Sequence, residues 1–374
     1  MPISILISII SGFIITYLTI PQIVRITKEK KIFDEPNPRK LNKVVIPTLG
    51  GIGIFLGFTI SSMLMLQKQA SPEIRYIYAA IVIMLFLGLK DDIISVSAIK
   101  KLLIQMSATL ILVSPGDFRI NLPQELTGTI DLPSWAGLLV SFLIFLFLIN
   151  AFNLIDGIDG LAGGLALIIA GFLGAWFFMT GHLNFAILCC SFCGSLAAFL
   201  RFNLWGGKNK IFMGDTGSLI IGVFIAAIVI QFIKFNQTAT EPLHFSQASL
   251  IALALLIVPT TDTLRVFMLR LYHGQSPFKP DMNHIHHLLL RSGMTHIQGT
   301  FFLIAYTIAF FLFTLSLQSY FSSPFNILLI MAASFLSVYC LIKRNHRINK
   351  FNKTKMIVLK NPEMKEKKWH KVSG

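Results

Sequence analysis

The chain has 374 residues, 54% of them hydrophobic and only 13% charged, with a mean hydropathy of +0.72. Such values exclude an ordinary soluble domain and point to a protein built in a membrane. The formal net charge of +15 then reads as a membrane-orientation signal, reinforced by anionic lipid or an anionic substrate, and not as a nucleic-acid surface.

Lipid offers the backbone no hydrogen bonds, so each crossing segment must be a helix or part of a closed barrel. The apolar runs here are continuous and do not alternate, which selects helices. In chain order they predict eleven membrane helices, at about 3–24, 48–67, 76–90, 98–114, 135–152, 161–180, 184–201, 216–234, 247–268, 298–318 and 325–342. The fold class is therefore all-α: a polytopic helical bundle forming one membrane domain over 1–342, followed by a basic tail over 343–374. The first segment has no basic leader and no small-residue cleavage site, and reads as a retained span. All four cysteines fall inside predicted spans, which argues against a disulfide framework and against zinc.

Taking alternate connections as one side places 28 of the 32 Lys and Arg residues together, leaving Lys68, Arg75, Arg119 and Lys234 on the other. Cytoplasmic loops collect positive charge, so the N-terminus is expected outside and the tail inside. Asp91, Asp92, Asp156, Asp159, Asp215, Asp262 and Asp281 all fall on the basic side. An ionised group at mid-membrane depth costs on the order of 3 kcal/mol, so such residues usually face a cavity and have partners. Interfacial end caps are the plain alternative for any one of them.

Four loops on that face carry the chemistry-bearing residues. In "GLKDDIISVSAIKK", Asp91 and Asp92 project about 100° apart on a helix, and their proximity favours one carboxyl that accepts a proton. Lys100 and Lys101 follow, suited to phosphate oxygens or to positive-inside anchoring. In "INAFNLIDGIDGLAGG", Asn150, Asn153, Asp156 and Asp159 recur every three residues, while Gly157, Gly160, Gly163 and Gly164 predict a helix break. Small residues for helix packing would explain the glycines but not the carboxylates. In "KIFMGDTGSL", Asp215 sits between two glycines at a helix start, either as a hard-cation ligand or as an N-cap. In "PDMNHIHHLLLRSG", His284, His286 and His287 lack a helical zinc spacing; beside Arg265, Arg270, Lys279 and Arg291 they fit a phosphate receptor better, or else a solvated loop.

Taken with "DEPNPRKLNKVVIPTLGG", "RFN" and "DTLRVFMLRLYHGQSPFKPDMNHIHHLL", these segments resemble, in order from residue 34 to 289, the polyprenyl-phosphate N-acetylhexosamine-1-phosphate transferases. His-Ile-His-His is similar to the WecA/TagO branch of glycosyltransferase family 4; the more distant MraY enzymes typically carry three adjacent histidines. The chain differs from the family pattern at Asn42, where His is common, at Ser95, where a third acid is common, at Met282, where a basic residue is common, and in the spacer "LWGGKNK".

The resemblance implies transfer of N-acetylhexosamine-1-phosphate, GlcNAc-1-phosphate first, from a UDP-sugar to undecaprenyl phosphate. UMP is released, with Mg²⁺ or Mn²⁺, at the cytoplasmic face of a bacterial membrane. It further implies that Asp215 holds the metal, completed by Asn153 and Asp156. Asp159 would face the nucleoside, Phe212 stack on uracil and Asn203 support it. Asp91 would deprotonate or position the lipid phosphate, with Asp92 supporting. Lys100, Arg265, His284, His286 and His287 would grip phosphates or select the sugar, and Lys40 would line an entrance. A homodimer stays open. The rivals are an MraY-like enzyme acting on UDP-MurNAc-pentapeptide and, in another class, a secondary transporter, which would place its acids near the midplane in two symmetric halves.

Overall fold

The computed structural model describes residues 3–30, 46–67, 71–120, 133–275, 284–318 and 320–360. Among these residues there is no strand. The chain runs through α1 (Ile3–Glu29), α2 (Gly50–Met65), α3 (Ile74–Ile93), α4 (Ala98–Val113), α5 (Ser134–Ile155), α6 (Leu161–Met179), α7 (Leu183–Trp205), α8 (Gly214–Asn236), α9 (Ala248–Leu255), α10 (Ile257–Tyr272), α11 (Ile285–Arg291), α12 (His296–Leu317) and α13 (Ser323–Lys360).

All eleven predicted segments are helical, with one correction. The segment at 247–268 is not a single rod but two helices bent by 75° at Leu256. Pro259 explains the break: without an amide hydrogen it cannot donate to the carbonyl of Leu255, and its ring crowds that carbonyl.

Among the described residues, seven helices are long and apolar enough to cross a membrane, or eight if the bent pair counts as one. This is fewer than the eleven crossings expected. At 16 residues each, α2 and α4 reach only about 24 Å against a hydrocarbon core of about 30 Å, and α3 carries Arg75 at one end and Lys90, Asp91 and Asp92 at the other.

Helix α8 is the axis of the bundle. It is apolar on every side, and its most apolar 18-residue stretch is wholly buried, as expected when no face needs a polar environment. It packs against α2, α3, α5, α6 and α9. Helix α1 lies outside α2 and α7, and α12 and α13 lie outside the broken pair; these peripheral helices leave residues such as Leu18, Phe301 and Leu328 exposed. The site is built at one end of α8, where its first turn meets the C-terminal ends of α3 and α5 and the first turn of α4.

Candidate active site

Two loops fix the start of α8. The Phe212 N–H donates to Pro47 O (2.8 Å), while Gly50 and Gly51 donate back to Phe212 O (2.9 Å) and Met213 O (3.0 Å). Gly214 follows at φ +71°, and a Cβ there would lie 2.0 Å from Thr48 O and 2.7 Å from the Asp92 carboxylate. Only glycine satisfies both constraints.

The first free N–H groups of α8 are satisfied from another helix. Asp92 accepts from the Asp215 N–H (2.7 Å), the Thr216 N–H (3.0 Å) and the Thr216 hydroxyl (2.6 Å). A carboxylate at a helix N-terminus meets both orphan donors and the positive end of the dipole. Asp92, which the sequence left as support for Asp91, is thus a cap for α8. It fills the role that sequence offered Asp215 as an alternative, and it leaves the Asp215 side chain to the site.

That side chain meets Lys101. The Lys101 ammonium donates to Asp91 Oδ2 (2.8 Å) and Asp215 Oδ2 (3.0 Å), with Asn153 Oδ1 at 3.4 Å. Asn153 in turn donates from Nδ2 to Asp215 and to the Ser218 hydroxyl (2.9 Å), and Asp91 also accepts the Val96 N–H (2.7 Å). Four helices therefore converge through Asp91, Lys101, Asn153 and Asp215. Lys100, the lysine expected to grip phosphate, is exposed; its neighbour occupies the site, because one residue rotates a side chain by about 100°. One turn deeper, Asn150 donates to Gln105 Oε1 (2.9 Å) between the same α4 and α5.

Helix α5 ends at Ile155, as the glycines predicted, and a turn carries Asp156 and Asp159 across to α6. Among the described residues the Asp156 carboxylate accepts no hydrogen bond and forms no ion pair. Burial, then the nearby charges of Asp215, Asp92 and Asp159, push its pKa up to about 8. Asp159 behaves oppositely. Burial alone would raise its pKa, but His296 and Lys210 more than reverse that and hold it below the usual carboxylate value. The Lys210 ammonium lies 2.7 Å from Asp159 Oδ2, and His296 Nδ1 lies 3.7 Å from it.

Lys210 also stands 5.8 Å from the centre of the half-buried Phe212 ring. Asp159, Lys210 and Phe212 thus form a second group beside the first. Asn203 does not face it: its side chain accepts the Gly160 N–H (2.6 Å) and donates to Ile211 O (2.9 Å). It ties the two loops together, holding the residue before Phe212.

The histidines close the third side. His286 lies parallel to His284 (ring centres 5.7 Å apart, 3° between planes), and the His287 ring centre is 4.2 Å from it at 51°. It packs on Gly157, where a Cβ would fall 2.1 Å from His286 Nε2. Burial, followed by the charge of His287, drives the His286 pKa down to about 3. Arg265 Nη2 lies 3.3 Å from Asp262 Oδ1, and both residues are buried. Lys40 and Asp281 lie outside the described residues.

Among the described residues, no three His, Cys, Asp or Glu side chains group closely enough to hold a metal by themselves. The donor chemistry nevertheless fits a hard cation. Asp156 is a carboxylate without a partner in the field of three others, and Mg²⁺ is commonly bound by one or two carboxylates, with waters and substrate phosphates completing its shell.

Sequence reasoning offered Lys101 for phosphate oxygens but carried only Lys100 into the site, gave Asp262 no role beyond its place on the basic face, and missed Lys210 and Thr216. Asp262 carried the clearest signal, an acid inside an apolar span just after a proline; the two lysines were hidden among other basic residues of the same face.

A family model described as glycosyl transferase family 4 matches residues 74–233. Over 356 residues the chain is 31% identical to the undecaprenyl-phosphate alpha-N-acetylglucosaminyl 1-phosphate transferase of Escherichia coli (strain K12), covering 92% of this chain and 93% of that relative. It is 29% identical over 356 residues to the Salmonella typhi protein of that name, with the same coverage. It is 32% identical over 312 residues to a probable undecaprenyl-phosphate N-acetylglucosaminyl 1-phosphate transferase of Bacillus subtilis (strain 168), covering 82% of this chain and 83% of that one. With identity of this level sustained over nearly the whole length, the chain belongs to glycosyl transferase family 4.

Proposed function

We propose that this protein transfers GlcNAc-1-phosphate from UDP-GlcNAc to undecaprenyl phosphate at the cytoplasmic face of a bacterial membrane. An oxygen of the lipid phosphate attacks the sugar-linked β-phosphorus, the bond from that phosphorus to the bridging oxygen breaks, and UMP leaves carrying that oxygen. The product is the polyprenyl diphospho-sugar. The observation that carries the reading is the meeting of Asp91, Lys101, Asn153 and Asp215 at one end of an apolar bundle, in a chain similar along its length to relatives named for this transfer.

Phosphoryl transfer asks a protein for positioning and charge neutralisation more than for covalent chemistry. Lys101, already set between two carboxylates, supplies a cation for phosphate oxygens. Asp91 lies where it can orient the lipid phosphate; a base is not required, since a phosphate monoester is largely ionised near neutral pH. Asp215, Asp156 and Asn153 are the residues that would hold Mg²⁺ or Mn²⁺. Bound there, the ion would neutralise pyrophosphate charge and favour UMP as leaving group. Phe212 offers a ring face for uracil, with Asp159 and Lys210 beside it for polar edges.

The placement of the acids also weighs against a transporter. Asp91, Asp92 and Asp215 gather at one end of the helices, whereas a transporter would place its acids near the midplane in two symmetric halves. The finer topology proposed is eleven membrane-embedded segments, with the N-terminus outside and the basic tail inside.

The test is direct. Purified protein is incubated with undecaprenyl phosphate, Mg²⁺ and a panel of UDP-sugars that includes UDP-MurNAc-pentapeptide, and UMP is measured. Release dependent on the lipid and greatest with UDP-GlcNAc is expected. Release greatest with the pentapeptide substrate would move the protein to the MraY-like reaction, and no release with any UDP-sugar would overturn the reading.

A further inference from the structure

Asp262 has no part in the scheme above, yet its carboxylate is 1% exposed and surrounded by donors. It accepts from His284 Nδ1 (2.8 Å), from the Ile285 N–H (2.8 Å) and from Arg265 (3.3 Å). It sits in the first two turns of α10, just past the bend that Pro259 imposes on the α9–α10 pair. The bend thus delivers a carboxylate to the base of the histidine loop, and that carboxylate holds the residue that begins α11.

The contacts continue in one direction. His284 lies parallel to His286, and His286 packs on Gly157 between Asp156 and Asp159. A buried carboxylate accepting from Nδ1 fixes both the tautomer and the ring orientation of an imidazole, leaving only Nε2 for other contacts. Arg265 keeps that carboxylate compensated in its buried setting, as a buried charge requires.

We propose that Asp262 is a positioning residue for the transfer reaction. It holds His284 as the Nδ1–H tautomer, and through the His284–His286 stack it sets the Asp156–Asp159 turn against the rest of the site. The inference rests on the transferase reading for its kinetic part, while its structural part can be measured without substrate.

Two measurements test it. In the full-length protein in lipid, labelled with ¹⁵N-histidine and assigned by comparison with His284→Ala, the nitrogen shifts of His284 should report a protonated Nδ1. Asp262→Asn should alter that pattern and Asp262→Glu should restore it at least in part. A wild-type His284 protonated only at Nε2 overturns the proposal, whatever the assay for UMP gives and whether or not any variant folds.

The second measurement is a kinetic cycle on UMP release. Asp262→Asn should lower kcat by about 10- to 100-fold, the range seen when a partner orienting a functional histidine is lost. In the His284→Ala background the same change should cost less than about threefold, because coupled residues are not additive. Equal losses in both backgrounds, or a loss confined to KM, would make Asp262 a structural residue independent of His284.

Discussion

Neighbouring residues in this site have unlike roles, and the angle between them decides which. Asp91 and Asp92 are adjacent, yet one faces Lys101 while the other caps α8. Lys100 and Lys101 are adjacent, yet only the second reaches the carboxylates. Lys101→Ala should therefore cost about 10²- to 10³-fold in kcat, as loss of a preorganised charged donor does, and much more than Lys100→Ala. Steady-state UMP release by the two variants checks this, and a larger loss at Lys100 would mean that the register of α4 is wrong.

Asp156 yields a prediction in pH. Its carboxyl would titrate near 3.8 in the unfolded chain but at about 8 in the fold. Between those values the folded protein binds more protons, so this group favours folding at low pH and its contribution is lost as pH rises through about 8. With chelator present, thermal melts should show the wild type less stable at about pH 9 than at about pH 6, and Asp156→Asn should flatten that difference. Added Mg²⁺ should restore the wild type at the higher pH and leave the variant unmoved. A wild-type melting temperature insensitive to both pH and Mg²⁺ would remove Asp156 from the cation site.

At the scale of helices, the sequence was most legible where a segment had to be apolar and least where packing chose between near-equivalent residues. Continuous apolarity located every predicted segment, and the glycines after Asp156 marked the end of α5 correctly. The bend at Leu256 was readable from Pro259 but was overridden by the apolar run on either side. The cap on α8 was not legible: a carboxylate 123 positions earlier supplies it, and no local pattern encodes such a partner. The same holds for Lys210, whose value lies in reaching Asp159 across 51 positions.

Close approach of α3 to α8 makes that docking testable. A Cβ on Gly88 would lie 2.3 Å from Thr216 Cα and 2.5 Å from Thr216 N, a backbone clash that no side-chain rotation can relieve. Gly88→Ala should force the helices apart at the point where Asp92 holds Asp215. Overpacking of this kind costs about 1–3 kcal/mol, and the melting temperature should fall together with kcat, with KM for the nucleotide less affected. A variant with wild-type stability and kcat would show that the α3–α8 contact is not needed to place Asp215.

At the scale of the whole molecule, α8 relates the charge pattern to the thickness of a membrane. Asp215 lies in its first turn; Lys234, near its far end, pairs with Asp117 (2.8 Å), which also accepts from Arg119 (2.9 Å). The 19 residue steps from Asp215 to Lys234 span about 29 Å at 1.5 Å each, close to the thickness of a hydrocarbon core. Two of the four basic residues assigned to the outer side therefore meet one acid at the end of α8 opposite the site. Reporters fused within residues 28–45 should be active only when cytoplasmic, and those within 119–131 only when exported, because the bias of 28 to 4 in Lys and Arg orients the bundle. The inverse pattern would put Asp91, Lys101 and Asp215 on the side without cytoplasmic UDP-sugars, and the proposed reaction would fail with it. Reporter activity on the same side for both segments would instead require an even number of crossings between them, so that α2, α3 and α4 could not all span.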